Sequence, residues 1–161
     1  MATNNYFNYK KMQFLLTNLQ SKIPFHEKNN PLISNSSVGW HIEHSLKTIF
    51  IVVQSVKKSN PKEYKWKFNK NKLVISFIGF FPRGKAKAPK VVLPEGTITN
   101  ESLQISLQKV KSALEEWESF NKNAHFYHPY FGNLNKKSTK WFLNLHTKHH
   151  WKIINDICKK I

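Results

Sequence analysis

Four stretches of the chain repeat apolar residues at steps of three and four, and that spacing admits little besides helices packed on a shared core. The first covers residues 8–23, with Met12, Leu15, Leu16, Leu19 and Ile23 on one face, and Pro24 stops it. Ser36 or Ser37 can cap the second, which runs to about Lys58 on a stripe of Val38, Ile42, Leu46, Ile49, Val53 and Val56. Thr99 or Asn100 opens the third, with Leu103, Leu107, Val110, Leu114 and Trp117 facing inward. Asn135 caps the last, which continues to about Lys160 through Leu143, His146, His150, Ile153 and Ile157. The predicted fold class is therefore all-α, a four-helix bundle with a long irregular loop between the second and third bundle helices. At 161 residues the chain has the length of one domain, so a single domain over residues 1–161 is expected.

Residues 60–94 resist this reading. The run 73–81 is apolar and β-branched, and periodicity does not separate a strand from a short buried helix there; helix is the expectation. Pro82, Gly84, Pro89 and Pro94 then break regular structure and leave a lysine-rich loop. A turn-rich stretch, His128-Pro129-Tyr130-Phe131-Gly132, precedes the last helix, and no segment reads convincingly as sheet. Trp40, Trp117 and Trp141 are assigned to the core, and the cluster Glu115, Glu116 and Glu118 to solvent.

Lysine and arginine total 26 against nine acidic residues, a formal charge of +17 that would attract polyanions. Arg83 is the only arginine, however, and the planar fork that grips phosphates and guanine edges is absent from the other cations. A solvated basic surface is the expectation, with a nucleic-acid-binding module kept as an alternative. The single cysteine, Cys158, rules out an internal disulfide and a thiolate zinc cluster. No apolar run approaches the ~20 residues of a membrane span, and the first residues lack a secretory pattern. The bacterial cytoplasm is the expected location, with no membrane partner.

Eight histidines are distributed unevenly, as His26, His41, His44, His125, His128, His146, His149 and His150. His146 and His150 lie on the apolar stripe of the last helix, one turn apart, so both rings project inward. Burying two imidazoles among leucine and isoleucine is costly unless their nitrogens find partners, and protonated rings one turn apart would repel. A shared divalent metal resolves both problems. His149 points about 100° away, on the flank. A third ligand must come from another helix, and Trp40-His41-Ile42-Glu43-His44 offers candidates among which spacing alone does not choose.

These residues resemble the DinB-like superfamily, in which a second-helix histidine and a His-x-x-x-His pair in the last helix commonly bind a divalent metal. Ser37-Val38-Gly39-Trp40-His41-Ile42-Glu43-His44 is similar to the family's second-helix start, whose final histidine is the ligand. His146-Thr147-Lys148-His149-His150 is similar to its last-helix pair. The resemblance thus implies His44, His146 and His150 as metal ligands. The stretches from Pro82 to Pro89 and from His128 to Leu134 are similar to one branch of that superfamily, and the matches together span about residues 36 to 157. One departure stands out: many relatives follow the last histidine with a polar trio such as Arg-Gly-Gln, where this chain has Trp151-Lys152-Ile153. Roles attached to that trio do not transfer.

Three neutral imidazoles leave open positions on a divalent ion, as in catalytic zinc sites, and those positions take water or a thiolate. Zinc, nickel or iron would suit such ligands. Characterised relatives include thiol-dependent transferases and isomerases that use low-molecular-weight thiols. A thiol-dependent S-transferase or related metalloenzyme acting on a small-molecule substrate is the function the resemblance implies; a hydrolase or a metal-binding protein without turnover is the alternative. Arg83 and the lysine-rich field offer attraction for an acidic cosubstrate, against the plainer reading that an Arg-Gly-Lys segment positions a loop. His128 offers a partner or proton carrier beside the ligands, against an ordinary turn histidine. Relatives often pair as dimers, and the residues do not choose between monomer and homodimer.

Overall fold

Capping side chains fix where the helices begin. In the computed structural model, which describes residues 3–84 and 88–159, α1 spans Thr3–Gln20, α2 Val38–Lys58, α3 Lys70–Ile78, α4 Asn100–Glu115 and α5 Lys136–Cys158. Ser37 Oγ accepts the amide of Trp40 at 3.2 Å, so Ser37 opens α2. Thr99 opens α4 through a reciprocal box: its Oγ1 accepts from the amide of Ser102, and Ser102 Oγ accepts from the amide of Thr99. Asn135 Oδ1 accepts from the amide of Ser138 at 3.0 Å and opens α5.

The protein is mostly helical, and its core is the set of faces the periodicity marks. Leu16, Leu19 and Ile23 pack with Ile42, Leu46, Ile49, Val53, Leu103, Leu107, Val110, Leu143 and Ile154, all nearly inaccessible. α2 packs against α4 and α5, while α1 packs against the same two helices. Fully burying one such side chain contributes about 1.5–3 kcal/mol, so the cluster far outweighs the weak propensity of any one helix.

Several boundaries differ from the sequence expectation. The first helix ends at Gln20, and Ile23–Phe25 forms a separate 3-10 turn with Pro24 inside it, a place that needs no amide donor there. Trp117 is buried, yet in a 3-10 turn, Trp117–Ser119, beyond the end of α4. The last helix stops at Cys158; residue 160, where its end was expected, lies outside the described residues. Lys85–Lys87 of the expected lysine-rich loop lie outside them too.

Two differences are larger. The run 73–81 is helical as expected only through Ile78, the end of α3, and that helix is exposed rather than buried. Leu73, Val74 and Phe77 of α3 face solvent, Phe77 at 93% exposure, and only Ile75 and Phe81 of this stretch reach the core. Gly79 ends α3 in the left-handed conformation at φ 71, which a residue with a side chain rarely adopts. The turn-rich stretch, read as irregular, carries a two-stranded antiparallel sheet: β1, His125–His128, pairs with β2, Gly132–Asn135. Strands of four residues are too short to display an alternating pattern, and their cue was the Pro129-to-Gly132 turn that joins them. The all-α expectation is corrected to that extent.

Candidate metal centre

α2 and α5 pack side by side, and their facing histidines meet in the interior. His44 and His150 are buried, and His146 is half-buried. Each of His44, His146 and His150 offers a nitrogen within 4.8 Å of the others', so the group could hold a metal ion. The rings of His146 and His150 stand 4.6 Å apart by centroid, that of His44 lies 4.7 Å from His150 and 5.1 Å from His146.

The hydrogen bonds decide which nitrogens are free. His44 Nδ1 lies 2.9 Å from the carbonyl of Val92, which can only accept, so Nδ1 carries the proton and Nε2 keeps its lone pair. His150 Nδ1 lies 2.9 Å from His41 Nδ1, and His41 Nε2 lies 2.9 Å from Ser34 Oγ. Two arrangements satisfy that chain. In one, His41 donates to His150, whose proton then sits on Nε2. In the other, His150 Nδ1 donates to His41, His41 Nε2 donates to Ser34, and His150 Nε2 is bare. Only the second leaves His150 able to ligate through Nε2. Both nitrogens of His41 are engaged in either case, which separates it from His44. Nδ1 of His146 is enclosed and has no hydrogen-bond partner, a costly condition that a metal ion or a bound proton donor would relieve.

The electrostatics match a ligand set. Burial pushes the His146 and His150 pKa values well below the ordinary 6.5, and neighbouring histidines push them further in that direction. His44 is lowered chiefly by burial, opposed by its bond to Val92. His41 is lowered to about 4, again chiefly by burial and then by His44, His149 and Arg83. All four rings are therefore neutral near pH 7, the state in which imidazole binds a metal.

The loop that crosses the site is itself tethered to α2. Val92 lies in the 3-10 turn Lys90–Val92, and Lys47 of α2 donates to the carbonyl of Leu93 at 2.7 Å. Trp40 stacks on His44 with 4.9 Å between centroids and 17° between planes, closing another side. The Val92 contact was not legible in the sequence, because that carbonyl reaches His44 from 48 residues away, whereas Trp40 and His44 stand one turn apart on α2.

Glu43 turns toward α4, where its Oε1 accepts from Ser106. His128 Nδ1 accepts the amides of Tyr130 and Phe131 in the hairpin turn, and its ring packs on Phe131 and Phe142, so it serves as a turn residue. Phe142 separates it from His146. Arg83 pairs with Asp156 of α5 at 2.6 Å on the surface. His149, assigned to the flank, packs edge-on against His150 at 5.1 Å and faces Phe81. A wide depression between α2 and α4 is lined by none of the histidines. No helix among the described residues is long and apolar enough to cross a membrane. No family model matches the chain, and neither a curated protein nor a solved structure matches it.

Proposed function

We propose that the chain is a DinB-like four-helix bundle that binds one divalent metal ion on His44, His146 and His150 and acts as a thiol-dependent transferase or a related metalloenzyme on a small molecule. The observation that carries the metal site is the convergence of three neutral imidazoles from two helices, with an enclosed, unpartnered Nδ1 on His146. A divalent ion held there would supply Lewis acidity to a thiol or water in its open positions. The protein's own part is to hold the rings: Val92 sets the His44 tautomer, His150 Nδ1 donating to His41 would leave His150 Nε2 for the ion, and Trp40 restrains the His44 plane. The bundle reading is supported by the mutual packing of α1, α2, α4 and α5, with α3 outside them.

Metal analysis of protein purified without an affinity tag tests the site. Near-stoichiometric zinc, nickel or iron is expected, with loss of retention in His150→Ala while the helical content persists. Equal metal in the variant removes the ligand assignment. Consumption of a thiol in the presence of an electrophile separates an enzyme from a protein that only binds the metal.

One observation favours a second reading, binding of a polyanion. Trp66 and Phe68 are exposed at 70% and 62%, alternating with Lys65 and Lys67, and Phe77 and Phe80 lie exposed beyond them. Aromatic rings beside lysines are what single-stranded nucleic acid uses. Affinity for single-stranded DNA weaker than millimolar at about 0.15 M salt, where counterion release still favours binding, ends that reading.

A further inference from the structure

We infer that a recess beside the histidine group is an anion-binding subsite for the carboxylate or phosphate end of a small substrate with a short apolar stem. The recess has a volume of about 250 Å³ and lies between the segment after α3 and one face of α5. That is below the ~300–1,000 Å³ of pockets that enclose drug-sized ligands, so it suits one end of a molecule rather than the whole. Phe80, Phe81 and Leu145 form its apolar wall, and Arg83, Lys148 and Lys152 supply cations.

The α5 residues of the recess follow from helix geometry. Leu145, Lys148, His149 and Lys152 recur at steps of three, one and three, which places them on a single face next to the stripe of His146 and His150. Lys148 and Lys152 are like charges one turn apart, an unfavourable pair unless an anion lies between them. Neither makes an ion pair or hydrogen bond among the described residues. Arg83 is different: Asp156 holds one terminal nitrogen of its guanidinium and leaves the remaining donors of the fork available. Asp156 also pairs with Lys159, so its charge is shared and the recess keeps a cationic excess.

The recess and the histidine group share a wall. His149 lines the recess, with its ring 5.1 Å from that of His150 and 5.9 Å from Phe81. A molecule anchored by its anionic end at Lys148, Lys152 and Arg83 therefore extends along Phe81 and His149 toward the three rings. Anion binding stands on the recess alone, whereas its role as a substrate subsite rests on the metal-site reading.

Ligand-observed NMR and calorimetry on the full chain test both halves. Hexanoate and inorganic phosphate are titrated into the metal-free protein, with hexylammonium as the control of opposite charge. Saturable, salt-sensitive hexanoate binding is expected, with no binding of hexylammonium. Lys148→Ala/Lys152→Ala and Arg83→Ala, changes at exposed positions, should each weaken it at least tenfold, with circular dichroism unchanged. Phosphate binding tighter than hexanoate, with the same dependence on the variants, assigns the site to a phosphate end. Equal binding of hexanoate and hexylammonium, or unchanged affinity in the variants, overturns the subsite. His44→Ala should lose metal yet keep hexanoate binding, so failure of the metal site and failure of the recess are distinguishable. With zinc loaded, 6-mercaptohexanoate should bind at least tenfold tighter than hexanoate; equal affinity disconnects the recess from the metal and overturns its substrate role.

Discussion

Acid should unfold the metal-free protein in a pH range set by its buried histidines. Burial is the leading cause of the lowered pKa at His41, His44, His128, His146, His149 and His150. Below pH 6.5 the unfolded chain takes up protons at these positions that the folded chain refuses. Stability therefore falls as pH drops through 6.5 and continues to fall until the folded-state value is reached. For His41 and His128 that value is about 4, which defines a window from 6.5 to about 4. At pH 5 the drop of one and a half units corresponds to about 2 kcal/mol for His41. His128 contributes less, since its ring is partly accessible. The other four add in the same direction. Against a total stability of about 5–15 kcal/mol for a domain, the His41 share alone is an appreciable part of the margin lost between pH 6.5 and pH 5. Urea unfolding of chelator-treated protein, followed by tryptophan fluorescence, should show the midpoint falling steeply across that interval with an unchanged slope. His146→Leu, which removes one of the titrating groups, should flatten the fall. A level midpoint from about pH 7.5 to pH 5 would refute the claim that these rings are buried and neutral.

Three further outcomes follow from local geometry. Gly39→Ala places a Cβ 3.0 Å from the His26 carbonyl oxygen and 3.1 Å from Ile98 Cγ2. That overpacking should cost about 1–3 kcal/mol despite alanine's better helix propensity, read as a lower melting temperature. His41→Phe keeps the ring volume but removes the partner of His150 Nδ1, so metal affinity measured by chelator competition should drop roughly 10–100-fold; unchanged affinity means that His41 does not set the tautomer. Thr99→Ala removes one side of the α4 capping box and should lower stability by about 1 kcal/mol in denaturant titration.

The helices were legible because their information is local. A stripe such as Val38, Ile42, Leu46, Ile49, Val53 repeats within one turn of itself, and its caps lie within three residues of each start. The exposure of α3 was not legible. Leu73, Val74 and Phe77 carry an apolar signal that says only what would gain by burial, and among the described residues no other element arrives to cover them. The hairpin failed for a different reason, since its strands are shorter than the window in which a period can be detected. At the histidines, spacing put His146 and His150 on one inward face but left His41 and His44 equivalent. What separates them is the engagement of each nitrogen with Ser34, His150 and Val92, contacts made by residues distant in the chain or on a loop with no periodicity.

α2 turns a broad face inward, with twelve of its 21 residues buried, among them His41 and His44. Its amides should exchange with deuterium only when the whole molecule opens, so both imidazoles ride on a backbone that scarcely breathes. The Val92 carbonyl that orients His44 belongs instead to a short 3-10 turn flanked by irregular chain, whose amides should exchange sooner than those of α2. His44 is thus carried by one element and oriented by another, so local opening of that turn should loosen the imidazole, leaving the Trp40 stack to restrain it, while the helix that carries it stays closed.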